Sequence, residues 1–178
     1  SQEMWEELFS IEQYVEMALQ FSRLSAKSTD FVIGEVSLDK VVREAIHKYA
    51  RLFVRKKIKL ELTSIDTQVL TDEKWLEFVI EQILSNAIKY TAGGTISVYL
   101  KEEPEQETKE LVIEDTGIGI APEDLPRIFE KGYTGYNGHA DKRSTGIGLY
   151  LCRKIMRKLS HEITIESEIG VGTKVHLE

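Results

Sequence analysis

Residues 114–120, Glu114-Asp115-Thr116-Gly117-Ile118-Gly119-Ile120, end an alternating apolar run and open a long glycine-rich segment. The alternation predicts a strand, and the two glycines spaced by one residue allow the backbone to approach a ligand closely. Asp115, at the junction of strand and loop, is placed to accept a hydrogen bond from a ligand amine. The same glycine pattern is common in ordinary turns, so it indicates a function only together with other motifs.

A second glycine pattern lies downstream, in Ser144-Thr145-Gly146-Ile147-Gly148-Leu149, where a helix is predicted to begin. Backbone N–H groups at the start of a helix, together with the helix dipole, form a binding site for anions such as phosphate. Three cations in the preceding loop could reach a terminal phosphate: Lys131, Lys142 and Arg143. The alternative is that these loop side chains are simply solvated.

The predicted helix over residues 72–90 has two faces. One carries apolar side chains at core spacing: Leu76, Val79, Ile80, Ile83 and Ala87. The other carries a polar row in the C-terminal half: Gln82, Asn86, Lys89 and Tyr90. Asn has poor helix propensity, and an amide oxygen beside a lysine suits a hard cation and its phosphates. A solvated helix face is the alternative explanation of this row.

The remaining pattern predicts an α+β fold, in which strands follow one another mostly as hairpins and helices cover one face. Ser37 is placed to cap a helix over residues 38–54, and Gly93-Gly94 to end the helix at residue 90. The acidic segment 102–109 is the predicted turn between the two central strands. Extended segments are predicted at 31–36, 57–62, 68–70, 95–100, 110–114, 162–166 and 174–177, and a last helix at 146–159.

The first helix, predicted from Met4 to about Lys27, carries a regular apolar stripe. Its members recur in steps of four and three, the spacing of a coiled-coil seam that faces another helix: Met4, Leu8, Ile11, Val15 and Ala18. The alternative is that the helix packs only on its own domain. The polar residues 25–30 are a predicted linker, which divides the chain into residues 1–29 and 30–178.

Composition narrows the class of protein. The 178 residues are 42% hydrophobic with a net charge of −7, which gives enough apolar material for a core but no basic excess for nucleic acid. The single cysteine, Cys152, cannot form an intramolecular disulfide, and no Cys/His cluster has zinc spacing, which favours a reducing compartment. No apolar run approaches the roughly 20 residues of a membrane helix, and the polar start is unlike a signal peptide, so we expect an intracellular domain.

Taken in order, these motifs resemble the ATP-binding domain of sensor histidine kinases, in the superfamily shared with gyrase, mismatch-repair ATPases and a heat-shock chaperone. The resemblance covers residues 31–178 and implies a two-layer α/β sandwich with a mixed sheet, the Bergerat-type fold. The family's N, G1, F, G2 and final G boxes are similar, in that order, to residues 81–91, 115–120, 128–130, 145–149 and 170–173.

The resemblance also implies that the domain binds ATP and Mg²⁺. Asn86 would ligate Mg²⁺, with Gln82 as a possible second ligand, and both would be catalytic together with Lys89, which would contact phosphate. Tyr90 would line the pocket, and Asp115 would accept the adenine amino group. Further nucleotide contacts are implied for the glycine boxes and their surroundings: Gly117, Gly119, Ile120, Lys131, Lys142, Arg143, Thr145, Gly146, Ile147, Gly148, Leu149 and Thr173.

Two positions depart from the family pattern. Gln82 stands where the family has Asn, and Ser144 stands where the G2 box begins with Gly. Hydrolytic relatives place a glutamate general base at the position of Gln82, and an amide cannot accept that proton. The domain is therefore expected to transfer the γ-phosphate to a protein acceptor better than to water.

The acceptor histidine of such kinases lies on a dimerisation helix, next to an acid and before a proline. The four histidines lack that context and are expected to be ordinary surface or packing residues: His47, His139, His161 and His176. The first helix resembles the second helix of a dimerisation hairpin, so the chain resembles a fragment. Residues 11–18, 35–38 and 132–138 further resemble kinases with two membrane helices that work beside peptide-antibiotic transporters.

We therefore expect the ATP-binding catalytic domain of a sensor histidine kinase, which passes the phosphoryl group through a histidine to a response regulator. It would be the cytoplasmic domain of a cell-membrane protein that forms a homodimer through its dimerisation domain and binds no nucleic acid. A degenerate nucleotide-binding scaffold without kinase activity is the first alternative. A hydrolase or a serine-directed anti-sigma kinase of the same superfamily is the second.

Overall fold

The structure is a computed structural model that describes residues 1–26, 30–134 and 146–178. In that part of the chain the helices are α1 (Gln2–Ser25), α2 (Leu38–Arg55), α3 (Glu73–Tyr90) and α4 (Gly148–Lys158). The strands are β1 (Ile33–Ser37), β2 (Lys59–Leu62), β3 (Gln68–Asp72), β4 (Thr95–Glu103), β5 (Thr108–Asp115), β6 (Ile163–Glu168) and β7 (Gly172–Leu177). Every predicted helix and strand is present, with ends shifted by a few residues.

A mixed sheet forms one layer of the molecule. Its strand order is β2-β4-β5-β7-β6, with β2 and β4 parallel and the other neighbours antiparallel. The predicted α+β fold with a mixed sheet is therefore confirmed. A separate antiparallel ribbon of β1 and β3 was not predicted.

The core lies between this sheet and the helices α2, α3 and α4. The apolar face predicted for α3 is buried throughout, with Val79 and Ile80 fully inaccessible. Ile96 and Val98 of β4 and Ile113 of β5 bury their side chains in the same core. Burial of each such side chain stabilises the fold by about 1.5–3 kcal/mol, so the core holds α3 firmly against the sheet.

Helix ends are set by side-chain caps and by backbone geometry. Ser37 Oγ accepts from Lys40 N at 3.3 Å, as predicted, and Asp72 Oδ1 accepts from Trp75 N at 3.1 Å. The helix predicted from residue 146 begins at Gly148, because Gly146 has a φ of +69°, which a right-handed helix excludes.

Two predicted connections differ in the structure. α3 ends in an extended Thr91, before the glycines expected to terminate it. Gly94 instead allows the side chain of Thr116 to pack against the backbone, since a Cβ on Gly94 would lie 2.3 Å from Thr116 Oγ1. The predicted turn at 102–109 is shorter than expected, because β4 and β5 pair as far as Glu103 and Thr108 around a 3₁₀ turn at Pro104–Gln106.

α1 packs one face on the rest of the chain and leaves the other exposed. Phe9, Met17 and Phe21 pack against the core, and Leu24 is buried in it. The predicted seam lies outward, with Met4, Leu8, Ile11 and Val15 between 55% and 62% exposed. The inner face of α1 therefore packs on its own domain, and a partner helix on the exposed face stays a prediction. Within the described residues, no helix combines the length and apolarity needed to cross a membrane.

Polar contacts fix α1 in place. Lys48 of α2 donates from its ammonium group to Glu16 of α1 and to the buried Glu81 of α3, each at 2.9 Å. Burial alone would lower the pKa of Lys48, but the hydrogen bonds to Glu81 and Glu16 raise it overall. An Arg55–Glu6 ion pair and a hydrogen bond from Tyr49 Oη to Gln13 at 3.1 Å join α1 to α2.

Candidate functional site

A cavity of about 530 Å³ lies between α1, α3, the glycine-rich stretch after β5 and the start of α4. This volume is typical of small-molecule sites. The predicted site residues that line it come from four separate stretches of sequence: Gln82, Asn86, Lys89, Tyr90, Asp115, Gly119, Ile120, Gly146, Gly148, Leu149 and Thr173. Gly117, Lys131 and Ile147 are not among the lining residues, and Lys142, Arg143 and Thr145 lie outside the described residues.

The polar row of α3 forms one wall of the cavity. Because the opposite face of the helix is locked in the core, the row at i, i+4, i+7 and i+8 is aimed at the cavity. Gln82 is buried, and Asn86 is half-buried one turn further on. The Lys89 ammonium lies 5.3 Å from the centre of the Tyr90 ring. The wall thus offers two amides, a cation and an aromatic ring.

Asp115 also lines the cavity, from the last position of β5. Its side chain is only 8% exposed, and its Oδ1 accepts from Gly117 N at 2.9 Å. Burial raises the pKa of Asp115, although the backbone N–H groups of Gly117 and Thr173 partly counter this. A buried carboxylate of this kind is suited to a ligand that donates a hydrogen bond.

A small hydroxyl network holds the wall beside Asp115. Ser167 Oγ accepts from Ile120 N at 2.8 Å and donates to the carbonyl of Gly172 at 3.0 Å. It also lies 2.8 Å from Thr173 Oγ1. Ser167, which the motif analysis did not single out, therefore links the glycine-rich stretch after β5 to β7.

Close packing of the chain on itself explains the first glycine pair. A Cβ on Gly117 would lie 2.4 Å from the carbonyl oxygen of Tyr90. Gly119 has a φ of +77°, and a Cβ there would lie 2.2 Å from the carbonyl oxygen of Glu168. These glycines let the chain pass between α3 and the β6–β7 turn, and so bring Asp115 and Tyr90 to one cavity.

The second glycine pair behaves differently at its two positions. A Cβ on Gly146 would lie 2.6 Å from the backbone of Gly132, so the glycine is required by the fold. The nearest atoms to a Cβ on Gly148 are Met17 Cε at 3.5 Å and Gln82 Oε1 at 3.6 Å. A Cβ on Gly148 would therefore make only ordinary contacts, and the residue lies at the start of α4 beside Gln82 of the polar row.

Lys131 lies near α1 in this structure. Its ammonium group is 4.9 Å from the centre of the Phe21 ring, a cation–π distance. The next residue, Gly132, donates its N–H to the carbonyl of Gly146 at 2.9 Å, which joins the segment to the start of α4. A hydrogen bond from Tyr133 to Asp124 closes the segment between these two residues into a loop.

Sequence reasoning missed the part of the cavity that α1 and α2 provide. Its lining residues include Phe9, Gln13, Tyr14 and Met17 of α1, with Leu52, Arg55 and Lys56 at the end of α2. No nucleotide-binding motif marks these positions. The one available signal was that the apolar side chains of α1 extend beyond a single seam, which indicates a second buried face.

The described histidines with contacts lie away from the cavity. His161 Nε2 is 2.9 Å from Thr71 Oγ1, and burial lowers its pKa. His176 lies between Glu166 at 2.9 Å and Glu110 at 3.1 Å on the sheet. His139 lies outside the described residues. These contacts suit packing and surface roles.

The mixed sheet, the helix layer and a cavity lined by both glycine motifs define an ATPase domain of the histidine kinase and gyrase type. Residues 71–178 match the family described as histidine kinase-, DNA gyrase B-, and HSP90-like ATPase, and the chain belongs to that family.

Two curated relatives are sensor kinases of Bacillus subtilis (strain 168). The chain is 38% identical over 170 residues to sensor histidine kinase YxdK, covering 95% of this chain and 52% of the relative. It is 35% identical over 167 residues to sensor protein BceS, covering 94% of this chain and 49% of the relative. The chain thus spans about half the length of these relatives.

Among solved structures, full-length ShkA in complex with AMPPNP superposes with a TM-score of 0.77 at 22% identity. The match covers 98% of this chain and 36% of ShkA, and it shows a shared fold.

Proposed function

We propose that this chain is the catalytic part of a sensor histidine kinase, which transfers the γ-phosphate of Mg²⁺-bound ATP to a histidine. The observation that carries the proposal is the one cavity that collects the polar row of α3, Asp115 and the glycine-rich start of α4. Family membership and the sensor-kinase relatives support it.

Asp115 would select the base. Its buried carboxylate accepts hydrogen bonds, and the adenine amino group donates them, whereas guanine presents a carbonyl oxygen at that position. A carbonyl facing the carboxylate would leave two buried acceptors opposed, which is costly. The site should therefore prefer ATP to GTP.

The polar row of α3 and the start of α4 suit phosphates and a magnesium ion. Asn86 and Gln82 offer amide oxygens, Lys89 offers a cation, and Gly148 begins a helix at the cavity. Within the described residues no set of three or more His, Cys, Asp or Glu side chains could hold a metal. Mg²⁺ would be held by Asn86, with Gln82 as a second ligand, and by phosphate oxygens and water, since Mg²⁺ usually keeps several of its waters.

The residues would act by placement and charge. Bound Mg²⁺ would neutralise charge on the phosphates. Lys89 would stabilise the charge that develops on the transferred group, and Asn86 would fix its orientation. Gln82, in place of a glutamate, gives no general base for water, which favours a protein acceptor over hydrolysis.

We further propose that residues 1–29 are part of a dimerisation domain and residues 30–178 the catalytic domain. The exposed seam of α1 supports this, since such a stripe is typical of a helix that packs against another helix. The kinase would be a homodimer, anchored in the cell membrane outside this chain, with the catalytic domain in the cytoplasm. A response regulator would receive the phosphoryl group, and a peptide-antibiotic transporter would be a partner.

Calorimetry with ATP and GTP, with and without Mg²⁺, tests the nucleotide site. We expect ATP to bind more tightly than GTP. Phosphotransfer from labelled ATP to a supplied dimerisation domain tests the activity. Steady phosphate release without an acceptor would instead indicate a hydrolase, and folded protein that binds neither nucleotide would indicate a scaffold.

A further inference from the structure

The C-terminal end of α3 carries Lys89 and Tyr90 and ends in carbonyl groups that the helix itself cannot pair. Other segments pair them. The carbonyl of Tyr90 accepts from Ile118 N at 3.1 Å. The carbonyls of Ile88 and Lys89 both accept from the ammonium group of Lys56, the second at 3.2 Å. The last turn is thus held from two sides.

Lys56 is well placed to hold this turn. It follows α2 directly and is half-buried, and its own carbonyl accepts from Gly93 N at 3.1 Å. Lys59 N donates to the carbonyl of Gly94 at 2.9 Å, so the connections after α2 and after α3 are joined at several points. A cation at a helix C-terminus is also favoured by the helix dipole, and charge-assisted hydrogen bonds are strong.

We infer that Lys56 is a positioning residue for the nucleotide site, which acts through the backbone of the last turn of α3. The inference rests on the proposed function. Lys56 lines the same cavity as Lys89 and Tyr90, and its ammonium group donates to the backbone carbonyl of Lys89. Without it, two carbonyls at a helix end lose a charged partner, and the turn that carries both side chains can open. The affinity of the site for nucleotide then decreases.

The test compares Lys56→Met with Lys56→Arg, which keeps the cation, and with Lys59→Met. Lys59 is a matched control because it is an exposed lysine three residues on, with Glu61 at 3.3 Å. Two quantities are measured well below the unfolding temperature. One is the Kd for ATP, and the other is amide hydrogen exchange at residues 88–91 without nucleotide.

We expect Lys56→Met to raise the Kd about three- to tenfold and to speed exchange in the last turn of α3, with β5 and β7 unchanged. Lys56→Arg should restore most of the affinity, and Lys59→Met should match the wild type. An unchanged Kd in Lys56→Met, beside a wild type that binds ATP, would overturn this inference alone. Exchange that rises equally in the sheet would also overturn it, since the loss would be global. A wild type that binds no ATP would overturn the proposed function and this role together.

Discussion

At the scale of single residues, the buried carboxylate of Asp115 is the group expected to recognise adenine. Its carboxylate lies at the end of β5, 8% exposed, with one oxygen held by Gly117 N. In Asp115→Asn the amide oxygen can keep that hydrogen bond, but the second group becomes a donor that faces the adenine amine. We expect the mutant to lose about 1–3 kcal/mol of ATP binding, measured by calorimetry. Glu114→Gln is the control, because Glu114 pairs with Lys174 and does not line the cavity. If Asp115→Asn binds ATP as tightly as the wild type, the adenine assignment is refuted.

The same carboxylate should make the fold sensitive to pH. Burial raises the pKa of Asp115 above its ordinary value of 3.8, so the folded state binds the proton more tightly than the unfolded state. The stabilisation from this proton is complete below pH 3.8 and is lost as the pH rises through the folded-state pKa. Asp115→Asn has no such proton to lose. Its free energy of unfolding relative to the wild type should therefore increase as the pH rises from 3.8 through the folded-state pKa of Asp115.

Urea unfolding of both proteins from pH 3 to pH 7 measures the difference. Burial also raises the pKa of Glu77 and Glu81, but these act equally in both proteins and cancel. A stability difference that stays constant with pH would contradict the assigned burial effect.

Asn86 provides the residue-scale test of metal-dependent transfer. Asn86→Ala removes the amide from the polar row of α3 but keeps a good helix former, so the fold should persist. We expect phosphotransfer to a supplied dimerisation domain to fall to background at saturating Mg²⁺, measured with labelled ATP. Circular dichroism equal to wild type is the control for folding, and normal transfer would show that Asn86 is not a metal ligand.

The sequence predicted the motif-bearing part of the cavity because local rules govern it. Helix periodicity placed Gln82 and Asn86 on one face, and the end of an alternating apolar run placed Asp115 at the junction of strand and loop. Lys56 and Met17 carry no local signal, since their place in the cavity depends on how α2 and α1 pack. Such long-range packing has no short sequence pattern, which is why these residues were missed.

At the scale of elements, the position of α1 depends on Lys48. Its ammonium group joins Glu16 of α1 to Glu81 of α3, and Glu81 is only 5% exposed. Lys48→Met would leave a buried carboxylate without its cation. We expect the free energy of unfolding to fall by about 1–3 kcal/mol, measured in urea.

Lys40→Met is the matched control for that prediction. Lys40 pairs with Glu73 at 3.4 Å, and both side chains are exposed, so its removal should cost less than about 1 kcal/mol. Equal losses in the two variants would mean that the Lys48 contacts do not stabilise α1 in this position.

The elements themselves were predictable where their pattern is local. The hairpins β4–β5 and β6–β7 join strands that are close in sequence, and the caps of α2 and α3 are single side chains. The ribbon of β1 and β3 pairs strands separated by the whole of α2, and each strand has five residues. Short strands paired over that distance carry no register signal in the sequence.

At the scale of the whole molecule, the exposed face of α1 should cause self-association. Met4, Leu8, Ile11 and Val15 are each more than half exposed along one stripe, and a contiguous apolar stripe is costly in water. A single helix offers only a small interface, so association should be weak. Sedimentation at rising concentration should show a monomer–dimer equilibrium.

Leu8→Lys and Ile11→Lys together should shift that equilibrium to monomer, because like charges would meet along the stripe. Val54→Lys is the control, since Val54 is an exposed apolar side chain that belongs to α2 and not to the stripe. ATP affinity should not change in either variant, because neither the stripe nor Val54 lines the cavity. A dimer that survives the double substitution would place the contact elsewhere on the molecule, and α1 would then have no support as a dimerisation helix. Loss of both the dimer and ATP binding would instead mean that the two faces of α1 are coupled, with docking on the cavity dependent on the outward stripe.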